Sequence, residues 1–319
     1  MTQPALTPMS IEHLLGRVHH EWTSRKRIFD LPSARFWRPV DDVDLSIDFL
    51  GRRAASPVGP AAGPHSQMAQ NIVLAWLGGA RLFELKTVQV MDDLEISRPC
   101  IDMQTVGYNI EWSQELRVHE SLAEYVKAWL ILEVLRRWEP LADHLGPDPG
   151  PHVFDLSVGY DLDGIRGDKV RGFIDGMRDA SSMIDALRRS IPAPFDRDVE
   201  CGPVVSDTVT LSTFHGCPPD EIERIIDWLL HTYGIDCVVK LNPTLLGADH
   251  LRHILNDQLG FVTEIPDEAL ATISNTPMAC RSLKTCSPPP KRRVLPSTSS
   301  SLTRSRRSTT KTFSLLTKK

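Results

Sequence analysis

The chain has 319 residues, 41% of them hydrophobic, which is long enough for one large domain or two ordinary ones. Its net charge of −5 conceals two regimes: residues 274–319 hold eleven of the 36 Lys and Arg and no acid, while the body before them carries 25 basic against 41 acidic residues, a net of −16. An acidic body argues against nucleic acid as the main partner, and no uninterrupted apolar run of about eighteen residues is available to span a membrane.

Six cysteines (Cys100, Cys201, Cys217, Cys237, Cys280, Cys286) lie without a CxxC pair. That usage fits a reducing cytosol and denies the chain a self-contained iron–sulfur site of ferredoxin spacing. Met1 to Gly16 lacks an apolar core behind a basic start, so no signal peptide is expected and the chain reads as cytoplasmic.

In chain order, residues 1–43 read as an N-terminal extension with a short helix around Ile11 to Arg25. Asp44 to Leu50 alternates apolar and polar residues as a half-buried strand does. Pro57-Val58-Gly59-Pro60-Ala61-Ala62-Gly63-Pro64-His65 reads as a short strand opening into a small-residue loop that a planar ligand can approach closely. Gln67 to Leu77 has helical spacing, and Leu82 to Val88 is the next strand, with Lys86 and Thr87 at its far end. A long helix with a wide apolar face runs from Ser121 to Trp138, until the Pro/Gly/Asp cluster 146–151 breaks the pattern. Strands follow at 153–158, 208–212 and 237–242, alternating with helices near 169–189, 220–233 and 250–255.

Strands alternating with helices imply a parallel sheet, in a (β/α)8 barrel or a doubly wound fold. Five core strands can be found where a closed barrel needs eight. The expected fold is therefore α/β, an incomplete (β/α)8 (TIM-type) barrel over residues 44–270. Residues 271–319, rich in Ser, Pro and Arg without apolar periodicity, are expected to be a disordered basic tail.

Several residues could carry chemistry. Lys86 and Lys240 fall at or near the C-terminal ends of parallel strands, where barrel active sites form and a lysine can stabilise negative charge. The bland alternative pairs such a lysine with a neighbouring carboxylate such as Glu84. Cys217, in His215-Gly216-Cys217-Pro218-Pro219, can act as acid or base, or as a thiol activated at a helix N-terminus, or simply shape a Pro-rich turn. Asn109 offers a donor and an acceptor on a loop, or an ordinary turn cap. His65 could touch a ligand or cap the next helix. Glu115 and His119 have helix spacing for a metal but no third ligand, so no metal site is expected.

Six segments in order resemble the N-terminal region of the family labelled selenate reductase subunit. They are Pro57–His65, Phe83–Val88, Arg98–Asp102, Leu156–Tyr160, Leu211–Pro219 and Val239–Gly247, and the resemblance covers roughly residues 8–268. Members are long flavin and iron–sulfur oxidoreductases related to dihydropyrimidine dehydrogenase and, through their barrel, to dihydroorotate dehydrogenase. By that resemblance Ala61, Ala62 and Gly63 lie against the ring of FMN, Lys86, Thr87 and Lys240 contact the flavin, Asn109 faces the substrate, and Cys217 is the active-site cysteine. The related barrels carry an asparagine just before their Cys-Pro, whereas this loop reads Ser212-Thr213-Phe214-His215-Gly216, so the substrate is left open. The family's glycine-rich phosphate loops and its downstream FAD, NAD(P) and iron–sulfur modules have no counterpart here.

A frameshift is the expected source of the change of composition. Ala271 to Met278 can be written GCC ACG ATC TCG AAT ACC CCG ATG, and dropping two bases gives CAC GAT CTC GAA TAC CCC GAT. That reads His-Asp-Leu-Glu-Tyr-Pro-Asp, which resembles the family at this point. The chain is thus expected to be part of a flavin-dependent, iron–sulfur-linked oxidoreductase acting on an unidentified small molecule, with other redox subunits as partners, and inactive as it stands. A non-catalytic half-barrel that binds a partner subunit is the alternative, and a basic-tailed nucleic-acid binder ranks last.

Overall fold

A computed structural model describes residues 7–39, 43–92, 101–102, 108–109, 115–146, 149–212, 219–240, 247–262 and 264, with 101–102, 108–109 and 219–220 described by backbone alone. The expectations for Cys217, for residues 241–246 and for the tail 271–319 fall outside the described residues, as does the side chain of Asn109.

Helix α1 (Ile11–Arg25) starts where the Ser10 hydroxyl accepts the His13 N–H at 3.1 Å. Ile11, Leu14, Leu15, Val18 and Trp22 follow at helical spacing, and all five are buried. Strands β1 (Arg27–Ile28) and β2 (Leu31–Pro32) form a hairpin across Phe29 and Asp30, both at positive φ. A second hairpin pairs β3 (Ile47–Phe49) with β4 (Arg52–Ala54) across Leu50 and Gly51, again both at positive φ. Paired positive φ values match the right-handed twist of a two-residue hairpin. The strand expected over 44–50 is therefore shorter: the Asp44 carboxylate accepts the Ser46 N–H at 2.9 Å in a local turn before it, and the chain reverses at Leu50–Gly51 after it. Ile28, Phe29 and Phe36 join the same buried core as the sheet, so residues 11–36 pack directly on the barrel region.

After helix α2 (Ala69–Leu77) comes strand β5 (Leu82–Glu84), then the short pair β6 (Ile101–Asp102) and β7 (Tyr108–Asn109). Helix α3 (Val118–Arg137) ends one residue earlier than its apolar pattern suggests. Trp138 is extended and Pro140 has no N–H to continue the ladder, so α4 (Glu139–Leu145) starts afresh and stops at Gly146, φ 96°.

Strand β8 (Val153–Val158) leads to α5 (Leu162–Arg166), α6 (Asp168–Arg178) and α7 (Ser181–Arg188). The sequence reads α6 and α7 as one helix. The Asp179 carboxylate accepts both the N–H and the hydroxyl of Ser181, which restarts the chain as a second helix. Strand β9 (Thr208–Ser212), helix α8 (Pro219–Asp227) with a wide turn over Trp228–Thr232, strand β10 (Asp236–Lys240) and helix α9 (Ala248–Arg252), which runs on as a wide turn over His253–Gln258, follow.

Strands β5, β8, β9 and β10 pair in parallel in the order β10-β9-β8-β5. The segment expected as the first core strand runs along the free side of β5 but is bonded in one direction only. Leu82 N–H donates to Val58 O at 3.3 Å and Glu84 N–H to Pro60 O at 3.1 Å. Pro60 has no N–H to return the bond, so no regular ladder closes. Gly59 is required here, since a Cβ on it would lie 1.4 Å from the Leu82 carbonyl oxygen. Five strand positions are thus occupied, as the sequence reading expects, and the barrel is incomplete over the described residues.

Side chains alternate across this sheet. Phe83, Phe154, Leu156, Val158, Val209 and Leu211 are buried in the apolar core, where α3 packs on α2, α6 and α7. The opposite face carries Glu84, Asp155, Ser157, Thr208, Thr210 and Lys240.

Candidate functional site

The polar face is tied together by side chains reaching between strands. Thr208 Oγ1 donates to Asp155 Oδ1 at 2.6 Å, and Thr210 Oγ1 donates to Asp155 Oδ2 at 2.5 Å. Thr87 Oγ1 and Ser157 Oγ lie 2.8 Å apart. Lys240 Nζ, on the last residue of β10, sits 2.7 Å from Glu84 Oε1 on β5.

A backbone irregularity aims Thr87. Leu85 N–H donates to Asp155 O and Val88 N–H to Ser157 O, so three residues on the β5 side span two on β8. The extra residue in the stretch Lys86–Thr87 is a bulge, a device that redirects a side chain beside a site. It leaves the Thr87 hydroxyl facing Ser157 on the polar face.

The expected site residues fall into two groups. Ala62 and Lys240 are brought to one carboxylate, with Thr87 bonded to Ser157 on the same face of the sheet: Ala62 N–H donates to Glu84 Oε2 at 3.1 Å, and the other oxygen of that carboxylate holds Lys240. Ala61 beside it is exposed. Gly63 is buried and closes a turn in which its N–H donates to Ser66 Oγ at 3.2 Å; a Cβ there would come within 2.6 Å of the His65 ring. Lys86 is also buried, and its carbonyl accepts the Tyr125 hydroxyl at 2.9 Å.

Asp155 and its threonines are absent from the sequence reading, whereas a strand-end lysine paired with Glu84 is the alternative it offered, and Lys240 adopts it. A signal was present. Asp155 and Ser157 alternate with apolar residues in Val153–Val158, as Thr208 and Thr210 do in the next strand, and polar residues recurring at period two inside a buried strand mark a second, polar face. Burial pushes the Asp155 carboxyl up to about 6; the two threonine hydroxyls pull against that, and the Glu84 charge adds to the rise.

The chemistry of this donor set suits the ring of a flavin. Carbonyl oxygens and a nitrogen that gains negative charge on reduction need a nearby cation and hydroxyls, and an approaching plane needs small residues. Lys240, Thr87 and Ser157 supply the first, Ala61 to Gly63 the second. The phosphate-binding side has no counterpart among the described residues. No helix among them is long and apolar enough to cross a membrane.

Residues 29–279 match the family model described as oxidoreductase YgfK, N-terminal TIM-barrel domain. The chain is 39% identical over 283 residues to YgfK of Escherichia coli strain K12, and equally to that of strain O157:H7. The match takes in 80% of this chain and 26% of each relative, so the chain spans about a quarter of their length. Among solved structures, ligand-free DHODH from Eimeria tenella aligns at 18% identity over 71% of this chain and 68% of its own, with a TM-score of 0.38. That score is too low to carry the fold, which rests on the family model and the parallel sheet.

Proposed function

We propose, from the premise that this chain belongs to the YgfK N-terminal TIM-barrel family, that residues 44–270 are part of a flavin-binding oxidoreductase barrel. The observation that carries this reading is the meeting of the Ala62 loop and the Lys240 ammonium on one carboxylate, at the end of a parallel sheet where barrel sites form.

FMN would lie with its ring over Ala61 to Gly63. Bound there, it supplies hydride exchange with a small-molecule substrate. Lys240 places positive charge beside the ring, and Lys86, two residues beyond the end of β5, is proposed to contact it as well. The hydroxyls of Thr87 and Ser157 orient polar ring edges. Cys217 Sγ is proposed to hold the proton exchanged with the substrate, and Asn109 to orient that substrate. In the longer relatives, the selenate reductase label, iron–sulfur clusters, FAD, a nicotinamide cofactor and further redox subunits are likewise proposals for the whole protein. This chain, spanning a quarter of such a protein, is proposed to lack turnover by itself.

The test is to titrate the purified full chain with FMN and follow quenching of flavin fluorescence. Saturable quenching that K240M weakens supports the reading. Absence of any bound flavin at millimolar FMN sinks it.

A second reading, a half-barrel that binds a partner subunit, draws on one observation: among the described residues β10 pairs with β9 alone. Light scattering of the purified chain that finds a stable hetero-complex and no flavin favours it.

A further inference from the structure

Lys240 does not pair with the carboxylate nearest to it in strand order. Asp155 on β8 lies between Glu84 and Lys240 in the sheet, yet each of its oxygens already accepts a threonine hydroxyl. The lysine instead reaches across to Glu84, which is 19% exposed in its side chain while Lys240 is 40% exposed. Glu84 has both oxygens committed, one to the Lys240 ammonium and one to the Ala62 N–H. One side chain therefore fixes two parts of the proposed ring site that lie 178 residues apart, the loop below it and the cation beside it.

Resting on the flavin reading above, we infer that Glu84 is the positioning residue of this site: its carboxylate sets the location of Lys240, offsets the lysine's charge towards the ring, and anchors the Ala62 loop. The two functions separate chemically. A glutamine at 84 keeps an oxygen for Ala62 N–H but removes the negative charge; an alanine removes both. Losing the charge removes the share of the Lys240 charge that Glu84 offsets, so a ring bearing extra negative charge gains more than a neutral one.

The experiment uses the full 319-residue chain as wild type, E84Q, E84A and E84D, with FMN as the probe in its oxidised and its dithionite-reduced form. E84Q is expected to raise the preference for reduced over oxidised FMN about tenfold, the scale of one partly screened charge at close range. E84A is expected to weaken both forms about tenfold further through the lost anchor. E84D is expected to restore the wild-type redox preference in part.

A second measurement needs no flavin. Trace acetylation with peptide mapping reads the reactivity of the Lys240 amine, with buried Lys127 as the reporter of unfolding. E84Q is expected to speed acetylation of Lys240 several-fold with Lys127 unchanged. If the wild type binds FMN and E84Q leaves the redox preference unaltered, the positioning role is overturned while the flavin reading stands. If the wild type binds no FMN, the flavin reading fails, and unaltered acetylation of Lys240 in E84Q and E84D then overturns the Glu84–Lys240 linkage as well. Where E84Q exposes Lys127, E84D decides both measurements.

Discussion

Lys240 Nζ lies 2.7 Å from Glu84 Oε1 although two strands, β9 and β8, separate theirs. Three inter-strand steps of a flat sheet span about 14 Å. The two long side chains close that gap because the sheet curls towards its polar face, so the ion pair is a direct mark of barrel curvature.

The pair should therefore couple measurably in stability. A double-mutant cycle of E84Q and K240M, read from urea unfolding of the full chain, is expected to give about 0.5–1 kcal/mol, the range of a partly exposed pair. A coupling indistinguishable from zero would mean that the curl is set by packing alone.

Asp155 makes a pH-dependent contribution of opposite sign to an ordinary salt-bridged carboxylate. Its folded pKa of about 6 lies above the model-compound 3.8, so the native state holds the proton more tightly. Its stabilisation is fully present below pH 3.8 and lost as pH rises through 6, a change of order 2–3 kcal/mol. The difference in urea midpoint between D155N and wild type, followed from pH 4.5 to 7.5, should swing in favour of D155N as pH rises. A difference independent of pH contradicts the assignment.

His152 works the other way. It is buried among Trp129, Phe154 and Phe83, neither ring nitrogen has a hydrogen-bond partner among the described residues, and burial with nearby Arg136 and Arg81 pushes its pKa down to about 3. The unfolded chain takes up the proton from about 6.5 downward, so stability is lost as pH falls towards 3. Phenylalanine fits an aromatic surround and carries no orphaned polar atom. H152F is expected to unfold about 1 kcal/mol harder at pH 7, with a larger gain at pH 5; calorimetry that finds it less stable at pH 5 than wild type would refute this.

Two glycines should respond oppositely to alanine. A Cβ at Gly59 collides with the Leu82 carbonyl, which is backbone and cannot swing aside, whereas at Gly172, on the exposed side of α6, it meets nothing within 4 Å. G59A is expected to fail to fold or to lose at least about 3 kcal/mol. G172A should gain about 0.5–1 kcal/mol from helix propensity. Soluble yield and thermal midpoint compare the two, and equal midpoints would remove the close strand approach from the account.

Glu124 ties three helices and should be costly to truncate. It is 1% exposed, accepts the Ala69 N–H at the start of α2 at 2.8 Å, and pairs with buried Lys127, which in turn donates to Met9 O at 2.5 Å before α1. E124A strands the Lys127 ammonium, at an expected 3–5 kcal/mol. The double variant E124A/K127M should recover part of that loss in urea unfolding; no recovery would mean the helix cap, not the charge, dominates.

Much of this architecture can be read from period alone. Strands at 153–158 and 208–212 match the reading to the residue, because apolar β-branched runs bounded by turn residues have little alternative. Helix ends were less legible. The break at Trp138 depends on Pro140 acting with an extended residue ahead of it, and that between α6 and α7 on a single aspartate capping locally. The Lys86–Thr87 bulge and the one-way bonding at Pro60 are properties of neighbouring strands, invisible until the partner is known.

The amino-acid sequence by itself determined the alternation of strand and helix, the small-residue loop at 61–63, and lysines and a hydroxyl at strand ends, since these follow from local spacing and residue type. It could not decide which carboxylate Lys240 meets. Glu84 lies 156 residues away and Asp155 only 85, and what sends the ammonium to the farther one is tertiary: two threonines on β9 fill Asp155, and the curl of the sheet brings the opposite edge within reach. Contacts of that kind depend on where strands sit in space, and no local pattern encodes them.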